Sequence, residues 1–243
     1  MSNTEFAIIV ENLYIRYKSL KSYSIKKNLL RLKKSEADEF EAVKGVSFKV
    51  PKGEIMGIIG KNGSGKSTML RAIAGIFSAD EGSIDLCGNK VALLSIGVGF
   101  NQRLTGRENI LLSGMLLGYT ETEVRAKMQE IIDFAEIGQF IDKPVRTYSS
   151  GMHSKLAFAI TTVLETDVML VDEVLSVGDE RFKKKSFNKM KELISNKERT
   201  VMIVSHNIAQ LNELCDTVMW MHEGKIIKIG PSEEVLAEYK EFM

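Results

Sequence analysis

The sequence predicts an α/β fold whose core is built mainly from parallel strands, with an antiparallel β part and an inserted helical stretch. Three observations predict it. EIMGIIG (54–60), VMLVDE (168–173) and RTVMIVSH (199–206) are short apolar runs without polar alternation, the pattern of strands buried on both faces. Helical spacing separates such runs, as at Thr68–Ile76. Between the first run and that helix lies GKNGSGKST (60–68), which is punctuated like a loop that must bend sharply.

The elements follow in order. FAIIVENLYIRY (6–17) reads as the first strand. Residues 16–34 carry eight Lys or Arg and no acid, and EADEFE (36–41) then turns acidic. Ile25, Leu29 and Leu32 recur at helical spacing within the basic stretch, which reads equally as a solvated face or as an amphipathic helix for anionic headgroups or pyrophosphate. VSFKV (46–50) is a strand joined to EIMGIIG by the turn PKG, and GSIDLCG (82–88) and VALLSIG (91–97) are short strands. Residues 106–147 read as helical, with Thr120 and Glu123 forming a capping box for a helix through about Ala135. TVMWMHEGKIIKIG (217–230) reads as a hairpin turning at Glu223-Gly224, and Ser232 as the cap of a last helix with Glu233 and Glu234 in its first turn.

Composition excludes several classes. The chain has 243 residues, 44% hydrophobic and 27% charged, with net charge +1, so bulk charge gives no reason to expect a nucleic-acid partner. Its two cysteines, Cys87 and Cys215, have no metal-ligand spacing and read as free thiols of a reducing compartment. The N-terminus lacks the layout of a signal peptide. No apolar run approaches the ~20 residues of a membrane span.

GKNGSGKST matches G-x-x-x-x-G-K-[ST] in the context that pattern needs, after a strand and opening a helix. Gly60, Gly63 and Gly65 let successive N–H groups face one anion, and the helix N-terminus adds its positive end. Lys66 reaches toward β/γ-phosphates and Ser67 offers a hydroxyl to Mg²⁺. Asp172 and Glu173 end an apolar strand, which places Asp172 in the Mg²⁺ shell and Glu173 as the base for an attacking water. His206 ends the next apolar strand; a lone histidine there reads as structural, but this position sets it to reach the γ-phosphate and help position the water, whereas His153 and His222 read as surface or turn residues. The loop identifies a nucleoside triphosphate without identifying the reaction.

YSSGM (148–152) opens the helical pattern HSKLAFAITTV. Ser149, Ser150 and Gly151 read either as a helix cap or as a second anion site. One nucleotide touches both sites if two subunits pair head to tail, each phosphate loop facing the partner's Ser149 and Gly151.

Over nearly its whole length the chain resembles the ATP-binding cassette family. GKNGSGKST resembles the Walker A loop, VMLVDE Walker B, and SVGD (176–179), ending in Asp179, the D-loop. YSSGM stands where the family usually has LSGGQ, and His206 matches the switch histidine. Tyr17 lies where the family stacks an aromatic on adenine; Tyr14 is a second candidate and reads equally as a surface tyrosine. The resemblance implies a P-loop NTPase (RecA-like) core over 1–103 and 159–243 and a helical subdomain over about 104–158. Some members carry a further C-terminal carbohydrate-binding domain; with its last residue at Met243, this chain is expected to be a single domain without one. The resemblance further implies ATP and Mg²⁺ as cofactors, held by Tyr17, Gly60, Lys61, Asn62, Gly63, Ser64, Gly65, Lys66, Ser67, Thr68 and Asp172, in a homodimer where Ser149, Ser150 and Gly151 contact ATP in trans.

Two departures narrow the resemblance. The signature is YSSGM, and LLSIGVGFNQR (93–103) has no glutamine at the usual Q-loop distance, Gln102 standing close to Leu104. With EVLSVGDERF and the basic segment, these are similar to the subfamily that exports lipid-linked polymers: teichoic acids, O-antigens and capsules. That implies a separate transmembrane permease, a lipid-linked glycan substrate and a peripheral position on the cytoplasmic face of the membrane. The alternative is an exporter of a drug, peptide or lipid. A repair or translation ATPase fits poorly, since the cassette is uninterrupted and single. A non-catalytic subunit is opposed by intact Lys66, Asp172, Glu173 and His206.

Overall fold

The computed structural model describes residues 5–18, 39–94, 100–164, 166–172, 179–195 and 199–243. Strands are β1 (Phe6–Lys18), β2 (Glu39–Pro51), β3 (Ile55–Ile59), β4 (Glu81–Asp85), β5 (Val91–Leu94), β6 (Val168–Asp172), β7 (Thr200–Val204), β8 (Thr217–His222) and β9 (Lys225–Pro231). Helices are α1 (Lys66–Ile73), α2 (Gly106–Leu116), α3 (Glu121–Ala135), α4 (Ser150–Val163), α5 (Glu180–Ser195), α6 (Ile208–Leu214) and α7 (Ser232–Phe242). Two 3₁₀ turns, Gly138–Asp142 and Val145–Thr147, link α3 to α4.

Two sheets form the core. One has the order β5-β6-β7-β3-β8-β9, parallel except for the β8–β9 hairpin, and the other is antiparallel with the order β2-β1-β4. Every residue of β3 and β7 is buried, because central parallel strands are covered on both faces. One face packs Met56, Ile58, Leu170, Met202 and Val204 against Ile8, Val10, Val43 and Val50 of the antiparallel sheet. On the opposite face Ile59, Val171 and Ile203 pack with Phe182 of α5, Leu211 of α6 and Tyr239 of α7. Each such fully buried side chain contributes about 1.5–3 kcal/mol. On edge strand β9 exposed and half-buried residues alternate, Ile227 and Ile229 facing outward, as on a strand covered on one face only.

Helices α2, α3 and α4 share a core of their own, Ile110, Val124, Ile131, Leu156 and Ile160. Capping boxes start α2 (Thr105 with Glu108) and α3 (Thr120 with Glu123); the second was expected from the sequence. Backbone and hydroxyl donors of Thr120 hold the Glu123 carboxyl below the usual carboxylate range. The stretch read as helical over 106–147 is thus two capped helices and two short turns. Other boundaries also move. Strand β2 begins at Glu39, seven residues ahead of VSFKV, and α1 runs from Lys66 to Ile73 rather than from Thr68 to Ile76. Ser232 is the first residue of α7 rather than its cap; Pro231 holds the cap position and gives no side-chain bond. Most of the basic segment, residues 19–34, lies outside the described residues.

Candidate functional site

Parallel register brings the site together. Ile58 of β3 pairs with Val204 of β7, and Val204 pairs with Asp172 of β6, so the three strand ends finish level. Gly60 and His206 each follow two residues later, at the carboxyl edge where open α/β sheets bind ligands.

The loop between β3 and α1 is held from behind. A Cβ on Gly60 would sit 2.2 Å from the Met221 carbonyl oxygen, and one on Gly65 would sit 2.2 Å from that of Ala42. Both residues have positive φ, +155° and +97°, so glycine is required twice over. The Gly224 N–H donates to the Ser64 carbonyl at 3.2 Å, and Lys44 N–H donates to Gly224 at 2.8 Å. The β8–β9 hairpin tip and β2 thus form the back wall. Gly65 takes the N-cap position of α1 in a left-handed conformation and gives no side-chain cap, which leaves the start of α1 to an anion.

Lys66 is 5% exposed. Its ammonium donates to the Gly60 and Lys61 carbonyls at 2.7 and 2.9 Å and lies 3.5 Å from Ser64 Oγ. A charge so buried has to be bonded, and here the loop's own carbonyls do this while aiming the ammonium into the bend. Ser67 Oγ donates to Asp172 Oδ1 at 2.8 Å, and Arg71 Nη2 lies 4.0 Å from Asp172 Oδ2. A hydroxyl and a carboxylate oxygen, side by side at a phosphate-type loop, fit Mg²⁺, a hard cation that takes few protein oxygens alongside phosphate and water. Tyr17 OH lies 3.2 Å from Thr68 Oγ1, and its ring meets Phe77 edge-on at 6.1 Å. Lys61, Asn62 and Gly63 form the exposed rim of the loop. His206 is exposed just past β7. Glu173 lies outside the described residues, as do residues 176–178 of SVGD.

The YSSGM segment starts α4. Ser149 Oγ accepts from the Met152 N–H at 3.2 Å, so Ser149 does cap its helix. Ser150 is exposed and Gly151 half-exposed in the first turn. Tyr148 is buried, its hydroxyl donates to the Phe140 carbonyl at 2.7 Å, and burial pushes it up to about 12.

Several tertiary contacts around this helix escaped the sequence. Lys155 Nζ donates to Asp179 Oδ2 at 2.6 Å, and the Phe182 N–H donates to Asp179 Oδ1 at 2.9 Å. First the Lys155 ammonium and then the Phe182 N–H hold the Asp179 carboxyl down to about 2. Asp179 therefore caps α5 and ties it to α4; an Asp just before the ERFKKK run is a readable cap signal, but its lysine partner is not. Buried Asn109 clasps the turn beside Gln102. Its amide donates to the carbonyls of Asn101, Leu104 and Thr105 at 3.1, 3.2 and 2.8 Å. The Arg146 N–H donates to the Gln102 carbonyl at 3.0 Å, joining that turn to the approach to YSSGM. His153, expected at the surface, is half-buried between the rings of Phe100 and Tyr148, both at 5.8 Å. His222 is half-buried against Phe242 at 5.2 Å.

Comparison with known proteins agrees with this geometry. The family model described as ABC transporter matches residues 43–176. The chain is 46% identical over 206 residues to the O-antigen export system ATP-binding protein RfbB of Myxococcus xanthus, covering 85% of this chain and 47% of that protein. It is 41% identical over 238 residues to the teichoic acids export ATP-binding protein TagH of Bacillus cereus, covering 98% and 43%. RfbB of Klebsiella pneumoniae is 42% identical over 205 residues, covering 84% and 83%. The chain thus spans about half the length of the first two of these relatives. Among solved structures, a dimeric ATP-binding cassette in a post-hydrolysis state bound to ADP and Pi superposes with a TM-score of 0.72 at 20% identity, over 93% of this chain and 98% of that one. An ATP binding subunit of an ABC transporter gives 0.75 at 20% identity, over 96% and 93%. At that identity the likeness establishes the fold.

Proposed function

The chain belongs to the ABC transporter family, and from that premise we propose that it is the ATP-binding, ATP-hydrolysing subunit of an exporter of a lipid-linked surface polymer. The polymer is a teichoic acid or an O-antigen or capsular polysaccharide. The observation that carries the ATPase reading is the level finish of β3, β7 and β6, which sets Lys66 and the Ser67–Asp172 pair at one edge. The printed names of the relatives support the cargo.

In this reading Gly60–Thr68 hold the triphosphate, Lys66 meets its β/γ-phosphates, and Tyr17 stands beside the base. Ser67 and Asp172 hold Mg²⁺, which neutralises charge on the transferred phosphoryl group. Glu173, next to Asp172 in sequence, is the general base, and His206 orients the water at the γ-phosphate. Ser149, Ser150 and Gly151 contact the nucleotide of a second subunit in a head-to-tail homodimer, and Asp179 lies at the same junction. Residues of about 104–158 form the subdomain that passes closure to a separate membrane permease. Among the described residues no helix is long and apolar enough to cross a membrane, which accords with a peripheral place on the cytoplasmic face.

The test replaces the chromosomal copy with Glu173→Gln. The purified variant should bind ATP and accumulate as an ATP-bound dimer with turnover reduced by at least about a hundred-fold. Cells should retain lipid-linked polymer inside and lose it from the surface. Wild-type turnover would remove Glu173 as the base. Normal surface polymer with lost resistance to a toxic compound would point to a drug exporter instead.

A further inference from the structure

The phosphate loop has a neighbour from the far end of the chain. Lys61 Nζ lies 5.1 Å from the centre of the Phe242 ring, in the last turn of α7. Phe242 is itself seated on β8: its ring is 5.0 Å from that of Trp220 and 5.2 Å from that of His222. Trp220 also meets Tyr239 of α7 edge-on at 5.6 Å. Between those two β8 residues stands Met221, whose carbonyl blocks any side chain at Gly60. One short piece of β8 therefore braces both the start of the loop and the ring that faces Lys61. Phe242 is seated on β8 yet remains 44% exposed, so one side of its ring stays open to Lys61.

We propose that Phe242 is a positioning residue for the phosphate loop, holding Lys61 through its ring face. Lys61 matters because its carbonyl is one of two that receive the Lys66 ammonium. The cation–ring contact restrains the Lys61 side chain at the rim, and so restrains the peptide carbonyl that aims Lys66. Affinity for the triphosphate then depends on where the end of α7 sits. The inference rests on the nucleotide reading of Gly60–Thr68 and adds to it a residue outside the loop.

The test is an ATP·Mg²⁺ titration by calorimetry on the full chain, comparing wild type with F242L, F242Y, K61M and F242L/K61M. Leucine keeps apolar contact with Trp220 but has no π face, and methionine keeps the Lys61 stem but loses the charge. F242L and K61M should each raise the ATP Kd about two- to five-fold, the worth of one exposed cation–π contact at ~0.5–1 kcal/mol. F242Y should bind like wild type, and the double variant no worse than either single one. Thermal melts of the four variants separate a loss of affinity from a loss of fold. Wild-type affinity in F242L, or losses that add in the double variant, would overturn the positioning role while leaving the nucleotide reading intact. Failure of the wild-type chain to bind ATP at all would overturn that reading, and this inference with it.

Discussion

The phosphate loop and the start of α4 are both glycine-containing helix starts, yet the reasons for their glycines are opposite. At Gly60 and Gly65 the chain supplies the reason: backbone carbonyls 2.2 Å from any added Cβ, and positive φ. At Gly151 the chain supplies none. The backbone is helical, and a Cβ there would meet nothing closer than Ser149 Oγ at 3.9 Å. Alanine would even favour the helix by roughly 0.5–1 kcal/mol. A glycine that nothing inside the fold requires points to something that approaches from outside. The fold thus explains the glycines of the phosphate loop from within one chain and leaves Gly151 unexplained, and this difference is what supports the proposed head-to-tail dimer, in which the two segments meet at one nucleotide.

The largest expected effects fall on the phosphate loop. Gly65→Ala drives a methyl group into the Ala42 carbonyl and forces a positive φ on alanine. It should cost about 2–4 kcal/mol of stability, read by denaturant unfolding, and should abolish measurable nucleotide binding. Lys66→Ala should leave the fold intact and weaken ATP binding by on the order of a hundred-fold, the worth of charge-assisted bonds to phosphate. If Gly65→Ala were as stable as wild type, the wall behind the loop would be looser than its geometry indicates.

Gly151→Ala breaks the comparison from the other side. Its thermal midpoint should equal or exceed that of wild type, while ATP turnover of the dimer should fall by about ten-fold or more, since in the proposed dimer a methyl group would intrude where the partner's phosphates approach. A mixed dimer sharpens this. Ser149→Arg in one subunit with Lys66→Ala in the other should keep one working site, because both lesions then meet at the same nucleotide. Two Ser149→Arg subunits should keep none. Equal turnover in these two dimers would reduce YSSGM to the helix cap seen at Ser149 Oγ.

The same contrast explains what the sequence could and could not disclose. GKNGSGKST is contiguous, so its chemistry is visible in nine letters, and Asp172 is found because it ends a run of buried apolar residues. The first half of β2 was not legible: EADEFE (36–41) shows in sequence only as an acidic run, yet Glu41 faces Arg16 across the ladder at 3.0 Å. Contacts between distant segments leave no local signal at all. Lys155 with Asp179 and Lys61 with Phe242 depend on how separate elements settle against one another, and each residue alone looks like an ordinary surface or helix position; Asn109 lies only four to eight residues from the carbonyls that it binds, yet a lone Asn in a helical pattern does not announce that clasp. Glu173, the residue most exposed to a test, was read from sequence alone.

The smallest expected effect concerns the tie behind the second site. Lys155 lies one and a half turns along α4 from Ser150, and its bond to Asp179 couples this helix to the start of α5. Asp179 has a depressed folded-state value of about 2, below the usual Asp value of about 3.9. A depressed carboxyl adds stability that is complete above the unfolded value and lost as pH falls toward the folded one. The contribution is thus full at neutral pH and disappears between about pH 4 and pH 2. Lys155→Met removes the largest cause of the depression and leaves the backbone N–H groups of Phe182 and of Asp179 itself. Its thermal midpoint should fall less steeply than that of wild type over that window, with little difference in steepness above it. If the two curves ran parallel down to pH 2, the Lys155–Asp179 bond would contribute nothing in solution, and α4 would be anchored by its apolar face alone.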